Sequence, residues 1–348
     1  MGGDDCAGWS VSRTVAILGA TGLVGRTTLA ILEQRAFPLD ELRLLASDRS
    51  ASRTLRFRGR DVPVQAVSER AFDGVWLTLF ATAADLSREW MPVARNAGSI
   101  VVDYSSALRM HPDVPLVVPE VNGALLDARP GVVANGNCVA IPLVVTLAPL
   151  ARLGRMVKVV LASYQSVSGA GQESLDELER GVRSGLDGAP PPRADGRAPF
   201  AFNVLPHIDH FDADGWTGEE RKIVGETRRM LDRPDLAVTP TAVRVPVRVG
   251  HSAAVTVTFD RAVDPAAARA AWQAAPGLRV VDEPKAERYP TPLEAAGEDD
   301  VLVGRARRDP FDECSLVYFF SSDNLRKGAA LNAVQIAERL AGVTAGTR

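Results

Sequence analysis

The chain has 348 residues, of which 46% are hydrophobic and 24% charged, with a formal net charge of -3. That length points to two domains rather than one, and the lack of a basic excess argues against nucleic acid as a partner. Apolar runs such as 139–150 fall short of the roughly 20 residues that cross a bilayer. The opening MGGDDCAGWSVSR carries no apolar core of a secretory signal. The three cysteines, Cys6, Cys138 and Cys314, suit free thiols in a reducing, cytoplasmic compartment.

In chain order, the first element is a short β-branched and aliphatic strand, TVAIL, at 14–18, stopped by Gly19. After Gly25, RTTLAILEQRAF has apolar residues at helical spacing and ends before Pro38. LRLLA at 42–46 reads as a second buried strand, completing a βαβ unit and implying a parallel sheet with helices on both faces. Further buried strands are expected at 75–80, 99–103 and 116–118, with a helix at 87–97. Beyond Cys138 the strands at 157–164, 241–249 and 253–259 alternate or are β-branched, as in a more antiparallel sheet. GLDGAPPPRADGRAP at 185–199 reads as an exposed loop, and 325–340 as a helix with Leu331, Val334, Ile336 and Leu340 on one stripe.

Gly19-Ala20-Thr21-Gly22-Leu23-Val24-Gly25 sits between the first strand and the first helix. This is the GxxGxxG form of a dinucleotide turn, in which glycines let backbone N–H groups reach a pyrophosphate at the positive end of a helix. The second strand runs on into Ser47-Asp48-Arg49-Ser50-Ala51-Ser52-Arg53. Arg49, Arg53 and the hydroxyls suit a 2′-phosphate and hence NADP, whereas Asp48 could accept a ribose hydroxyl and favour NAD.

Cys138 follows Asn135-Gly136-Asn137 and precedes an apolar stretch with Pro142 near its start. It is therefore expected at a helix N-terminus, where the helix dipole lowers a thiol pKa and favours the nucleophilic thiolate. His251, at a glycine turn between two strands, is expected to be exposed enough to titrate beside a cleft. His207 and His210 lack further ligands at usable spacing, so no metal site is expected.

Taken together these segments resemble the aspartate-β-semialdehyde dehydrogenase family. The matching stretches are GATGLVG, LASDRSA, VVDYSSALRMHPDVPLVVPEVN, ANGNC, YQSVSGAG, AFNVLPHID, TGEERKIVGET, TAVRVPVRVGHS, YPTPLEAAGEDDVLVGR and SDNLRKGAALNAVQIAE, in the family's order from about residue 14 to 342. The resemblance implies a Rossmann-type doubly wound parallel sheet plus a second α+β domain for catalysis and dimerisation. The first domain would be discontinuous, made of 1–137 and 325–348, and the second would span 138–324. The implied reaction is the reversible, NADP-dependent reductive dephosphorylation of L-aspartyl-4-phosphate to L-aspartate-4-semialdehyde, a step toward lysine, threonine and methionine. Cys138 matches the nucleophile that carries the thioester. His251 matches the acid/base that deprotonates the thiol and then serves the hemithioacetal oxygen. Gln165 matches the residue orienting the acyl group, with Asn137 near the oxyanion. Arg244 falls where the α-carboxylate is clamped, Glu219 where the amino group is met, and Lys222 and Arg109 where phosphate is held. Gly19, Thr21, Gly22, Leu23, Val24, Gly25, Arg49, Ser50, Ser168, Gly169 and Asn324 fall on cofactor positions. The family assembles as dimers or tetramers.

The chain departs from the family in several places. Gly136 and Val139 stand where proline and a hydroxyl residue are usual around the nucleophile, and Phe80-Ala81-Thr82-Ala83-Ala84 where Ser-Ala-Gly-Gly is usual. Tyr104, Leu108 and Ala242 replace asparagine, phenylalanine and cysteine. These leave open a paralogue acting on a related acyl phosphate or acyl-CoA in a specialised pathway. They also leave open a nucleotide-binding scaffold without catalysis.

Overall fold

The computed structural model describes residues 13–189 and 198–343. The first twelve residues with Cys6, and most of the stretch read as a loop at 185–199, lie outside them.

The first half builds an eight-stranded sheet from β1 (Thr14–Leu18), β2 (Glu41–Ala46), β3 (Thr54–Phe57), β4 (Arg60–Ala66), β5 (Leu77–Phe80), β6 (Ile100–Asp103), β7 (Leu116–Val117) and β8 (Val132–Asn135), in spatial order β3-β4-β2-β1-β5-β6-β8-β7. All neighbours are parallel except the β3–β4 hairpin. Helices α1 (Leu23–Gln34) and α2 (Ala84–Asn96) cross over after β1 and β5, with short turns α3 (Pro119–Asn122) and then α4 (Ala140–Leu147) following.

Strand β1 is buried along its whole length, because both faces of the sheet are covered and successive side chains alternate between them. Val15 and Ile17 join a cluster with Leu29, Ile31 and Leu32 of α1, whereas Ala16 and Leu18 meet Phe72, Phe80 and Ala94 on the opposite face. The chain order reverses at β1, with β2 on one side and β5 on the other. The carboxyl ends of these two strands therefore open a crevice of the kind that holds nucleotides in such sheets.

The second sheet is six-stranded: β9 (Met156–Gln165), β10 (Ala237–Arg244), β11 (His251–Phe259), β12 (Leu278–Val280), β13 (Val301–Arg308) and β14 (Ser315–Ser322), ordered β10-β9-β11-β14-β13-β12. It is mixed, with β10–β9 and β12–β13 parallel and the other pairs antiparallel. Its helices are α5 (Gln172–Leu186), α6 (Gly218–Met230), α7 (Pro265–Gln273) and the short α8 (Pro292–Ala295). One face is covered by α4, α6 and α7, where Val159, Leu161, Val255, Trp272 and Tyr318 form a buried cluster. The other face leaves Val160 40% and Tyr164 38% exposed, with Tyr164 against Phe319 at 6.1 Å between ring centroids.

The strand expected at 241–249 ends at Arg244, because Pro246 has no N–H for the ladder and disfavours regular pairing before it. The expected final helix begins as a wide π turn over Arg326–Ala330 before α9 (Leu331–Leu340) takes regular form. Leu331, Val334 and Ile336 of α9 pack into the cluster of β1 and α1, so the chain's end returns to the first sheet.

Candidate active site

A cavity of about 550 Å³ opens where β5, β6, β8, β9 and β10 end, and Cys138 lies on its wall. The loop after β8 presents the thiol, and its position is set by Asn137. The Asn137 side chain donates to Glu219 Oε1 at 2.8 Å and its main-chain N–H to Glu226 Oε2 at 2.5 Å. Its Oδ1 accepts the N–H groups of Val139 at 2.9 Å and Ala140 at 3.2 Å. The start of α4 is therefore capped by a neighbouring side chain, and its free donors are partly spent before they reach the sulfur.

This overturns the expected depressed thiol. Burial, and next the charge of Glu219, push Cys138 up to about 12, against the pull of Arg244, Arg109 and Lys222. Gly328, on the π turn, allows close approach from above, since a Cβ there would stand 3.0 Å from Cys138 O and 3.2 Å from its Cβ.

Glu219 and Lys222 sit three residues apart on α6 and face the cavity. Glu219 accepts from Asn137 and from Gln165 Nε2 at 3.1 Å, and Lys222 Nζ lies 2.8 Å from its other oxygen. Burial alone would raise this carboxyl, but the Lys222 charge and the three donors outweigh it and hold Glu219 below its ordinary range. Lys222 also meets Asp209 at 3.1 Å. Burial opposes the charge on this ammonium, yet Glu219 and Asp209 raise it overall.

Arg244 ends β10 in register with Gln165 at the end of β9. Its Nη1 donates to Ser166 O at 2.8 Å. Arg109 lies after β6, where Nη1 donates to Glu226 Oε1 at 3.0 Å and Nη2 to Tyr104 O at 2.7 Å. Arg109, Lys222 and Arg244 thus face Glu219, Glu226 and Asp209, and the charges nearly balance. An anion entering here would be held by directional N–H groups more than by net positive charge.

His251 opens β11 and is fully buried, which corrects the expectation of an exposed, titrating ring. The sequence pattern shows the glycine turn but not the chain that covers it. Gly169 lies against the ring, where an added Cβ would be 3.1 Å from Nε2. Burial, then the nearby Arg244, lower the imidazole to about 3, with Glu219 opposing. Nδ1 accepts the main-chain N–H of Ser166 at 3.0 Å, so the neutral ring carries its proton on Nε2. Among the described residues Nε2 has no hydrogen-bond partner, and Cys138 and His251 are not bonded to one another.

Around this ring Ser166, Ser168 and Asn324 form a closed network. Asn324 Oδ1 accepts from Ser166 Oγ at 3.0 Å, Ser168 Oγ at 3.1 Å and Gly250 N at 2.9 Å. Ser168, Gly169 and Asn324 also line the cavity.

On the nucleotide side, Gly19 and Gly25 answer a steric need. A Cβ on Gly25 would collide with Gly19 O, and one on Gly19 with Ala81 O, while Gly19 itself has φ +85°. Gly22 caps α1 without a side-chain bond, and Val24 of its first turn lines the cavity. Thr21 and Leu23 are half-buried beside it. This glycine cradle at a helix N-terminus fits a dinucleotide. Arg49 and Ser50 lie on a turn after β2, away from the cavity wall around Cys138. The departing residues Ala81, Thr82, Ala83, Ala84 and Tyr104 line the cavity, and Tyr104 OH meets Thr28 Oγ1 at 3.2 Å. His207 stacks on Phe211 at 4.4 Å, and His210 bonds Asp209.

Sequence reading missed Glu226, Asp209 and Ser166. Glu226 had a readable signal: it lies seven residues, two helical turns, after Glu219 and so shares its face.

Two family profiles match the chain: "Semialdehyde dehydrogenase, NAD binding domain" over residues 14–128, and "Semialdehyde dehydrogenase, dimerisation domain" over 147–327. The aspartate-semialdehyde dehydrogenase of Aquifex aeolicus is 44% identical over 331 residues, covering 94% of this chain and 97% of that protein. The one from Bacillus subtilis is 41% identical over 336 residues, covering 94% and 96%. Among solved structures, aspartate semialdehyde dehydrogenase II from Vibrio cholerae, described as complexed with ASA, superposes with TM-score 0.91 at 40% identity. That match covers 95% of this chain and 98% of the other.

Proposed function

The chain belongs to the aspartate-semialdehyde dehydrogenase family, and on that premise we propose that it interconverts L-aspartyl-4-phosphate and L-aspartate-4-semialdehyde through a thioester on Cys138, with NADP as its hydride carrier. The observation that carries this reading is the gathering of Cys138, Gln165, Glu219, Lys222, Arg244 and Arg109 around one cavity.

In the reducing direction the Cys138 thiol attacks the acyl carbon and its proton leaves with the phosphate, giving the thioester and inorganic phosphate. A bound nicotinamide would supply hydride to the thioester carbonyl. The resulting hemithioacetal alkoxide collapses to the aldehyde and expels the sulfur, which takes a proton from water and is again a thiol. Sulfur thus returns to the state in which it began. The Nε2 proton of His251 favours the second of its two expected roles, donation to the acyl oxygen, over taking the thiol proton. Arg244 suits the α-carboxylate, and Arg109 with Lys222 suits the phosphate. Three donors already engage Glu219, leaving about one acceptor position for the substrate ammonium.

The glycine turn would hold the dinucleotide, and Arg49 with Ser50 supports the choice of NADP over NAD. We assign residues 1–137 and 325–348 to the nucleotide-binding unit and 138–324 to the catalytic unit, and two copies to a homodimer through the second. A free catalytic thiol suits the cytoplasm. The test is NADP reduction with L-aspartate-4-semialdehyde as substrate. Turnover should require inorganic phosphate, exceed that on N-acetylglutamate semialdehyde, and vanish in Cys138→Ser. Turnover without phosphate would defeat the acyl-phosphate chemistry.

A further inference from the structure

We infer that Glu226 is a positioning residue that joins the phosphate clamp to the nucleophile loop, an inference that rests on the role proposed above for Arg109. Its two carboxylate oxygens are divided between two tasks. Oε1 accepts from Arg109 Nη1 at 3.0 Å, and Oε2 accepts the main-chain N–H of Asn137, the residue before Cys138, at 2.5 Å. The side chain is 1% exposed, so bulk water does not compete for either bond.

Geometry at both ends makes the link specific. Tyr104 O accepts a hydrogen bond from Arg109 Nη2 at 2.7 Å, so together with Glu226 it fixes the plane of the guanidinium and leaves Nε–H buried without a partner among the described residues. A fork held at both terminal nitrogens keeps its remaining donors in one direction, as recognition of a tetrahedral anion needs. At the other end, Asn137 is gripped twice from α6, by Glu219 on its side chain and by Glu226 on its main chain. Gly136, which lacks the constraint of a proline, precedes this grip, and a Cβ there would stand 3.5 Å from Glu226 Oε2. Glu226 thus supplies from a rigid helix the restraint that the loop's own sequence lacks.

Both groups donated to Glu226 are N–H donors that cannot turn into acceptors. Glu226→Gln keeps the shape but must point its amide NH₂ at one of them, breaking one bond by donor–donor opposition. Inorganic phosphate serves as the probe, its affinity read from protection of Cys138 against iodoacetamide. Expected is a rise of about tenfold in the phosphate Kd of Glu226→Gln, the loss of one charge-assisted hydrogen bond. NADP affinity should stay within about twofold of wild type. Arg109→Gln should weaken phosphate similarly, and the double variant should be no worse than the poorer single one, because the two residues act as a unit.

Independent, multiplying losses in the double variant would overturn the proposal. So would wild-type phosphate affinity in Glu226→Gln, or a parallel loss of NADP affinity, which marks a merely structural role. If Glu226→Gln does not fold, Glu226→Asp keeps the charge on a shorter arm and should show a smaller loss with the same selectivity for phosphate. Unchanged phosphate affinity there overturns the proposal too. Phosphate protection without semialdehyde turnover would sink the substrate reading alone. No protection in wild type would sink the role of Arg109 and this link with it.

Discussion

Glu219 lies close enough to Cys138 to oppose its ionisation, yet holds Asn137, Gln165 and Lys222 around the cavity. After burial, its charge is the largest influence raising the thiol to about 12. Removing that charge should therefore favour the thiolate while damaging the site. In Glu219→Gln the rate of alkylation by iodoacetamide at pH 8 should rise, by about tenfold for each unit by which the thiol pKa falls. The kcat/KM for the semialdehyde should drop in the same protein. Slower or unchanged alkylation would show that Glu219 does not govern the sulfur.

His251 offers a second test at this scale, this time on stability. In the fold its ring is lowered to about 3 from an ordinary 6.5, chiefly by burial. Between those values the unfolded chain binds a proton that the folded chain refuses, so stability rises with pH across that window and is lost as the pH falls through it. His251→Asn, which cannot titrate, should flatten the dependence of Tm on pH between about 3 and 6.5. An identical slope in both proteins would mean that the ring is not held neutral.

Among the elements, α6 does most of the positioning, since it carries Glu219, Lys222 and Glu226 on one face. Its start is a capping box, in which Thr217 Oγ1 accepts from Glu220 N at 3.2 Å and Glu220 Oε2 accepts from Thr217 N at 2.8 Å. Glu220 Oε1 further accepts Ala242 N at 3.0 Å, fastening the helix to β10. Thr217→Ala should cost about 1 kcal/mol in urea unfolding, with kcat nearly unchanged because the bond to β10 survives. A large fall in kcat at wild-type stability would show that the cap tunes the site and not the helix.

Elements of this kind differ in how plainly the sequence announces them. The buried strands β1, β2, β5 and β6 and the glycine turn were legible, because a parallel sheet covered on both faces leaves unbroken aliphatic runs. The β3–β4 hairpin was not, since its residues from Arg56 to Asp61 are mostly charged and exposed at a sheet edge. The residue types of the candidate site were readable from motif order, but their electrostatics were not. Burial of His251 and the raised thiol arise from Ser166, Gly169 and Glu219, brought together from separate elements.

At the scale of the whole molecule, β9 carries two messages on alternate residues. Ser163 and Gln165 point inward, where Gln165 reaches Glu219, while Val160 and Tyr164 point outward and stay exposed. The proposed homodimer would bury that outward face, whose apolar members otherwise meet water, and would brace the strand that holds Gln165. Charges placed there should then act twice. Val160→Glu combined with Tyr164→Glu should sediment as a monomer at concentrations where wild type is a dimer, since paired carboxylates cannot be buried against their symmetry mates without partners. The kcat should fall with it, although neither side chain lines the cavity, because β9 loses its support. A variant that sediments as a dimer with full activity would move the interface elsewhere on the second sheet, whereas a fully active monomer would separate assembly from catalysis and leave Gln165 held by its own fold alone.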